Sequence, residues 1–200
     1  MHPNPAFRHE DRAVLEAIVE EIGFGTVFAA TPDGPRVGHA PLASTGDGAL
    51  HFHLAHGNAL TRHLDGITAL AVVNGPDAYV SPRWYSSRDQ VPTWNYIAVE
   101  LEGRVRRMDG DGLRGHIETL VDRQEAQVEG GERWSLDEIA DAQFASLAKG
   151  IVGFEMEIQA WRATFKLSQN KSDEDRANVA AALDAQGAKA IAHLMRTFAS

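Results

Sequence analysis

Side chains with chemical potential cluster in three stretches of this 200-residue chain. The first is His51-Phe-His53-Leu-Ala-His56-Gly-Asn58-Ala-Leu-Thr61-Arg62-His63, which together with His39 holds five of the nine histidines. On a strand His51 and His53 share a face, the spacing a metal or haem iron wants, but no carboxylate stands at neighbouring ligand spacing. The same stretch reads as an anion site. A strand that ends at Gly57-Asn58 and enters a helix offers free backbone N–H groups, with His56, Thr61 and Arg62 as further donors. It matches neither a Walker loop nor a dinucleotide fingerprint.

The second stretch is aromatic. All three tyrosines (Tyr79, Tyr85, Tyr96) and two of the four tryptophans (Trp84, Trp94) fall between positions 79 and 96. Ser81-Pro82-Arg83-Trp84-Tyr85 and Val91-Pro92-Thr93-Trp94-Asn95-Tyr96 flank a polar loop containing Ser86, Ser87, Arg88 and Asp89. Large rings with polar handles suit a flat ligand or a subunit interface, and equally the packing of a barrel. The third stretch is Phe165-Lys166-Leu167-Ser168-Gln169-Asn170-Lys171. It reads as a solvated loop and helix cap, or as a lysine–serine nucleophile pair, although no motif supplies an oxyanion hole.

The elements that must position these residues follow from hydrophobic period. Val14, Leu15, Ile18, Val19 and Ile22 predict an amphipathic helix stopped by Gly23. Phe24 to Ala30, Val37 to Ala43 and Leu50 to Leu54, separated by glycine-rich turns, predict an antiparallel meander. A short helix is expected over Asn58 to Leu64. Ile67 to Asn74 reads as a strand buried on both faces, Gly75-Pro76-Asp77 as a turn into Ala78 to Ser81, and Thr93 to Met108 as a long strand. Leu113, Ile117, Leu120 and Val121 mark one helix, and the capping box Ser135-Leu-Asp-Glu138 opens another towards Lys149. Gly150 to Ile158 and Trp161 to Leu167 are expected as two strands. Ser172-Asp-Glu-Asp175 caps a helix through Leu183, and a last helix follows Gly187 as far as Phe198. Strands with late helices point to an α+β β-barrel, one domain spanning 1–200. Its parts are the N-terminal helix and main strands (1–108), a helical insertion (109–149), closing strands (150–170) and C-terminal helices (171–200).

Composition narrows the function classes. Asp plus Glu number 28 against 19 Lys plus Arg, a net charge of −9, and that field opposes the phosphate contacts on which nucleic-acid binding depends. No apolar run approaches the ~20 residues of a membrane span. The start shows no secretory signal pattern, and the absence of cysteine suits the cytoplasm and excludes thiolate chemistry.

Together the three stretches resemble the PaiB-type, FMN-binding negative transcriptional regulator family. The resemblance is carried by Gly75-Pro-Asp-Ala-Tyr-Val-Ser-Pro-Arg-Trp-Tyr85, Val91-Pro-Thr-Trp-Asn-Tyr96 and Trp161-Arg-Ala-Thr-Phe-Lys-Leu-Ser-Gln-Asn170, and more weakly by His53 to Asn58. It spans most of residues 1–185. It implies a split β-barrel related to pyridoxamine-phosphate oxidases and small flavin reductases, forming a homodimer with FMN in clefts to which both subunits contribute. It makes His53, Asn58, Thr61 and Arg62 phosphate and ribityl contacts. Ser81, Trp84, Trp94 and Asn95 become parts of the flavin cleft and dimer seam, approached from the other side by Lys166, Ser168, Gln169 and Asn170. With FMN bound, the resemblance implies a positive charge near the pyrimidine edge, Lys166, that would stabilise a reduced, anionic flavin. No residue is assigned to catalysis and none to a metal. One departure stands out: the family pattern has arginine where this chain has His56, and a neutral imidazole is a poorer phosphate partner than guanidinium, which weakens the expected hold on FMN.

The expectation is therefore a cytoplasmic, FMN-binding homodimer with a regulatory or redox role. One alternative is a small flavin-dependent oxidoreductase that does not bind DNA; another is a haem or metal protein using the His51–His56 segment. DNA is a partner by the family's name alone. Charge and the lack of a recognisable helix-turn-helix oppose it, so regulation through a small molecule or a partner protein reconciles the two.

Overall fold

Alternation of buried and exposed residues builds the sheet. The computed structural model describes residues 2–198. Its elements are α1 (Arg12–Ile22), β1 (Phe24–Thr31), β2 (Gly34–Ser44), β3 (Ala49–Ala55), β4 (Thr68–Val80), β5 (Thr93–Arg107), α2 (Gly110–Glu125), α3 (Asp141–Ala148), β6 (Ile151–Lys166), α4 (Asp173–Ala185) and α5 (Lys189–Phe198). The strands close into a barrel in the order β1-β2-β3-β6-β5-β4. This is the expected α+β split-barrel class. The β1-β2-β3 meander is antiparallel as predicted, and β3 pairs antiparallel with β6.

The chain groups into two compact units. The first comprises Glu16–Val73 and Glu100–Trp161, and the second Met1–Leu15, Asn74–Val99 and Arg162–Ser200. The core of the first is the inward face of the strands: Val27, Leu42, Leu50, Phe52, Leu54, Leu101, Phe154 and Met156 are buried. Phe52 and Phe154 are direct partners in the β3–β6 ladder and stack at 5.4 Å. The core of the second unit is mixed. Phe165 stacks on His9 at 4.2 Å, and Val179 and Leu183 of α4 are buried with Ile191 and Met195 of α5. Ser172 caps α4 by accepting the Asp175 N–H at 3.2 Å, with Asp173, Glu174 and Asp175 complementing the helix dipole.

Several expectations are corrected. Gly75-Pro76-Asp77 is not a turn, because β4 runs straight through it. The pairing of β4 with β1 covers Leu70 to Val72, so Pro76 lies beyond the residues whose N–H groups that ladder requires. Nor is β4 buried on both faces. Ala69, Ala71 and Val73 are buried and Thr68 is exposed, because a barrel strand has one inner face. The two strands expected after Gly150 are one, β6. The Ser135–Glu138 capping box closes only a 3₁₀ turn, Leu136–Glu138. Ile139 then turns extended, and α3 starts afresh at Asp141 because Leu136 is the only buried residue of that turn. Over Asn58 to Leu64 the helix shrinks to a 3₁₀ turn, Thr61–His63.

Barrel closure leaves no space at Gly103, where an added Cβ would run into the Glu157 carbonyl oxygen, against backbone that cannot move aside. Gly103→Ala is expected to lose about 2–3 kcal/mol, read as a lower urea midpoint at unchanged m-value. An unchanged midpoint would show that β5 and β6 separate at no cost.

Candidate functional site

The residues singled out from sequence fall into two groups, one in each unit. In the second unit Lys166, Ser168, Asn170 and Asn95 line a common cavity of about 190 Å³ with Tyr85, Thr93, Val91, Lys171, Phe7, His2 and Asn4. A buried amide organises it. Asn95, fully buried on β5, donates Nδ2–H to Ser168 Oγ at 2.9 Å and accepts from the same hydroxyl at 3.2 Å. Nδ2 also lies 3.3 Å from the Met195 sulfur of α5. Ser168 is held at φ +67°, the one left-handed non-glycine residue among those described, a conformation that costs about 1–2 kcal/mol and needs such anchoring.

Two cations face this cavity and no carboxylate lines it. Lys166, at the end of β6, donates to the Thr93 hydroxyl and to the Trp94 carbonyl at 2.8 Å. Burial, and after it the charge of Lys171, pulls the Lys166 ammonium below the ordinary lysine range. Lys171 donates to Gln90 Oε1 at 2.7 Å, with its Nζ 4.9 Å from the centre of the Tyr85 ring. The Tyr85 hydroxyl is buried, which raises its pKa first; the charge of Asp175 raises it second, and a hydrogen bond with the Ser168 hydroxyl lowers it. The loop before β5 is tied to α4 where Ser86 N–H donates to Asp175 at 2.7 Å.

Other predicted residues have structural occupations. Gln169 clasps its own turn, accepting from Leu167 N–H at 2.7 Å and donating to the Phe165 carbonyl at 2.5 Å. Ser81 caps the 3₁₀ turn Pro82–Trp84, in which Trp84 is half-buried. Trp94 is exposed and meets Tyr79 edge-on, 6.0 Å between ring centres. Lys166 and Ser168 do not pair, since each hydrogen-bonds elsewhere, so the nucleophile reading has no geometry behind it.

In the first unit His53, Asn58, Thr61 and Arg62 sit on β3 and the turn after it. The expected free N–H groups at this turn are mostly engaged. Asn58 N–H donates to Ala55 O, Leu60 N–H to Asn58 Oδ1, and Thr61 N–H to Asn58 O. The Thr61 hydroxyl donates to Ala55 O at 2.9 Å. A turn this short satisfies its own donors, where a full helix would leave several open. Arg62 is exposed and pairs with Asp33 at 2.5 Å, and His56 is exposed.

His53 meets a residue that the sequence reading missed. Its Nδ1 lies 3.1 Å from Nε2 of His116, buried on α2, while His51 pairs with Glu155 at 3.2 Å. Helical spacing from Leu113 to Leu120 was the available signal, because His116 lies on the same buried stripe. Among the described residues no group of three or more His, Asp or Glu side chains is placed to hold a metal ion. The His116 pKa is lowered to about 3, by burial first and then by the charges of His53 and His51. The folded protein therefore keeps this ring neutral at pH values where the unfolded chain protonates it. Stability is fully present above the unfolded value near 6.5 and falls as the pH drops from there towards 3. Urea denaturation across that window should show this group contributing about 1.4 kcal/mol per pH unit. In His116→Gln the decline should be correspondingly shallower, and an unaltered slope would assign it to other groups.

The family model described as "Putative FMN-binding domain" matches residues 1–160. "Protease synthase and sporulation protein PAI 2" of Bacillus subtilis (strain 168) is 33% identical over 184 residues, covering 88% of this chain and 87% of the relative. An uncharacterised protein of Emericella nidulans is 28% identical over 198 residues, covering 81% and 79%. Among solved structures, the FAD and heme binding protein from Mycobacterium smegmatis superposes with a TM-score of 0.59 at 22% identity, covering 85% of this chain and 78% of that one. The flavocytochrome Anf3 from Azotobacter vinelandii gives 0.60 at 16%, covering 88% and 78%. At these identities the structural likeness speaks for the fold alone. With most of its length matched by the family model and by the Bacillus relative, the chain belongs to the FMN-binding, PaiB-type family, with FMN as its cofactor.

Proposed function

We propose that the protein acts as a homodimeric FMN flavoprotein of the cytoplasm, one split-barrel domain over residues 1–200, with a redox or regulatory role. The observation that carries this reading is Lys166: an ammonium held in place on β5 backbone and Thr93, beside a cavity without acids, in a chain of net charge −9. The donor set fits one edge of a flavin. The cavity of about 190 Å³ is smaller than the ~300–1,000 Å³ of an enclosed ligand pocket, so it suits the edge of a ring and what reacts beside it.

FMN, when bound, supplies the redox centre. In this reading Lys166 and Asn170 bind the pyrimidine edge, and the Lys166 charge favours the reduced ring. Asn95 and Ser168 act beneath them by fixing the turn. In the first unit, taken by itself, Arg62 is the residue best suited to a phosphate group. Its ion pair with exposed Asp33 is a weak surface contact that a phosphate dianion can replace, whereas the imidazole of His56 lacks the paired donors of a guanidinium. Asn58, Thr61 and His53 shape that turn.

Exposed apolar side chains support the homodimer. Tyr79, Trp94 and Val91 are 47%, 54% and 77% exposed in the second unit, and the cross-strand pair Phe28 and Val37 is exposed in the first. A regulatory role is favoured by the name of the sporulation relative. The net charge favours regulation without direct DNA contact.

Purified protein is expected to show flavin bands, to quench the fluorescence of added FMN and to elute at twice the monomer mass. Arg62→Ala should weaken FMN about tenfold, and Lys166→Ala should weaken the reduced flavin about tenfold more than the oxidised. Absence of both bands and quenching would overturn the reading.

A further inference from the structure

In the first unit α3 is a helix without a core. None of its eight residues is buried, and Phe144 is only half-buried. A helix this short does not hold itself together in water, so its support has to come from what it covers. The chain leading to it gives little: Gly130 and Gly131 sit at φ +79° and +81°, and between Ala126 and Ala140 Leu136 alone is buried. Arg114 of α2 fastens the helix, with Nη1 3.1 Å from Asp141 and the guanidinium 4.8 Å from the centre of the Phe144 ring. An ion pair whose carboxylate is 89% exposed is a weak fastening. Beneath α3 lies a cavity of about 690 Å³, bounded by the first turn of α2 and the start of β6. That volume is within the ~300–1,000 Å³ of small-molecule sites. A ligand there gives α3 the buried face it lacks.

The wall selects the class of ligand. Leu113, Phe144, Ala145, Ala148, Ile151 and Val152 supply apolar surface, and the two alanines leave room for a flat ring alongside Phe144. Three cations on the wall, Arg107, Arg114 and Lys149, face three carboxylates, so a dianion gains little and an apolar body has to supply most of the affinity. The carboxylates are not equally placed for the cations. Asp141 holds Arg114, Asp109 accepts the Gly112 N–H at 2.8 Å as the N-cap of α2, and Asp111 lies in the first turn of that helix. Arg107 and Lys149 are left with no carboxylate at ion-pair distance among the described residues, since Asp65 accepts the Arg107 backbone N–H and not its guanidinium. The His56 ring lines the same cavity, also without a partner among those residues. We propose that this cavity binds an aromatic carboxylic acid, its ring against Phe144 and the alanines and its carboxylate towards Arg107 and Lys149, with α3 closing on it as a lid. No residue of this wall lines the cavity at Lys166, and the site does not depend on the flavin reading.

Naphthylacetate is the probe, titrated calorimetrically into the full chain with and without FMN. Binding is expected to saturate below about 1 mM and to be unaffected by FMN. Arg107→Gln and Lys149→Gln should each weaken it about fivefold, and Ala145→Trp should abolish it by filling the space. Arg88→Gln, the same change of charge in the second unit, should leave it unaltered. Bound probe should slow amide hydrogen exchange along α3 about tenfold. Urea midpoints confirm that each variant folds. The proposal is overturned by absent saturation, by wild-type affinity in Ala145→Trp or in both glutamine variants, or by α3 exchange that the bound probe leaves unchanged. Displacement of the probe by FMN overturns it too, because the cavity then belongs to the cofactor. Probe binding without FMN quenching overturns the flavin reading and leaves this site standing.

Discussion

A single buried amide holds the turn between Lys166 and Lys171 in place. Asn95 cannot reach water, so both ends of its side chain must be satisfied by protein, and Ser168 meets both. That reciprocal pair offsets the left-handed backbone of Ser168 and thereby sets the path of the chain from Lys166 to Lys171. The two ammonium groups inherit their positions from it. In low dielectric a satisfied polar pair of this kind rigidifies its surroundings, whereas the loss of one partner leaves a desolvated group and a relaxed turn. Packing of α4 and α5, capped by Ser172 and tied to the loop before β5 through Asp175, closes the same region from outside.

Electrostatics then gives that region its character. A net charge of −9 works against any anionic ligand at long range, but screening confines that field to about 8 Å at physiological ionic strength. Within that distance the cavity wall carries Lys166 and Lys171, and the Asp175 carboxylate acts on Lys171 and Tyr85 from α4. Acidic side chains are kept useful nearby as a helix cap, at Asp173 to Asp175. Thiol chemistry is closed to a chain without cysteine.

The histidine segment shows the reverse case. Its residue types advertise metal or anion chemistry; in the first unit His51 and His53 take protein partners, while His56 and Arg62 stay exposed. His53 hydrogen-bonds His116 across β3 and α2, and His51 pairs with Glu155, which also receives Arg106. A neutral imidazole pair shares one hydrogen bond at no charge cost, which makes histidine tolerable beneath a helix at neutral pH.

Period and turn chemistry alone determined most of the secondary structure. The β1-β2-β3 meander, α1 with its Gly23 stop, α2, and the Ser172-capped helix α4 follow from local patterns, because their residues choose strand or helix by which face they can bury. The motif strings around Trp94 and Lys166 were likewise sufficient to identify the family and its cofactor. Tertiary structure decided the rest. Continuity of β4 through Pro76 and of β6 from Ile151 to Lys166 depends on ladder partners distant in sequence, and local turn signals are outweighed there by barrel closure. The partnership of His116 with His53 spans 63 positions and that of Asn95 with Ser168 spans 73. No spacing rule reaches so far. Tyr85 read only as one ring in an aromatic stretch, and the burial of its hydroxyl beside Ser168 is a property of the fold rather than of its neighbours in sequence.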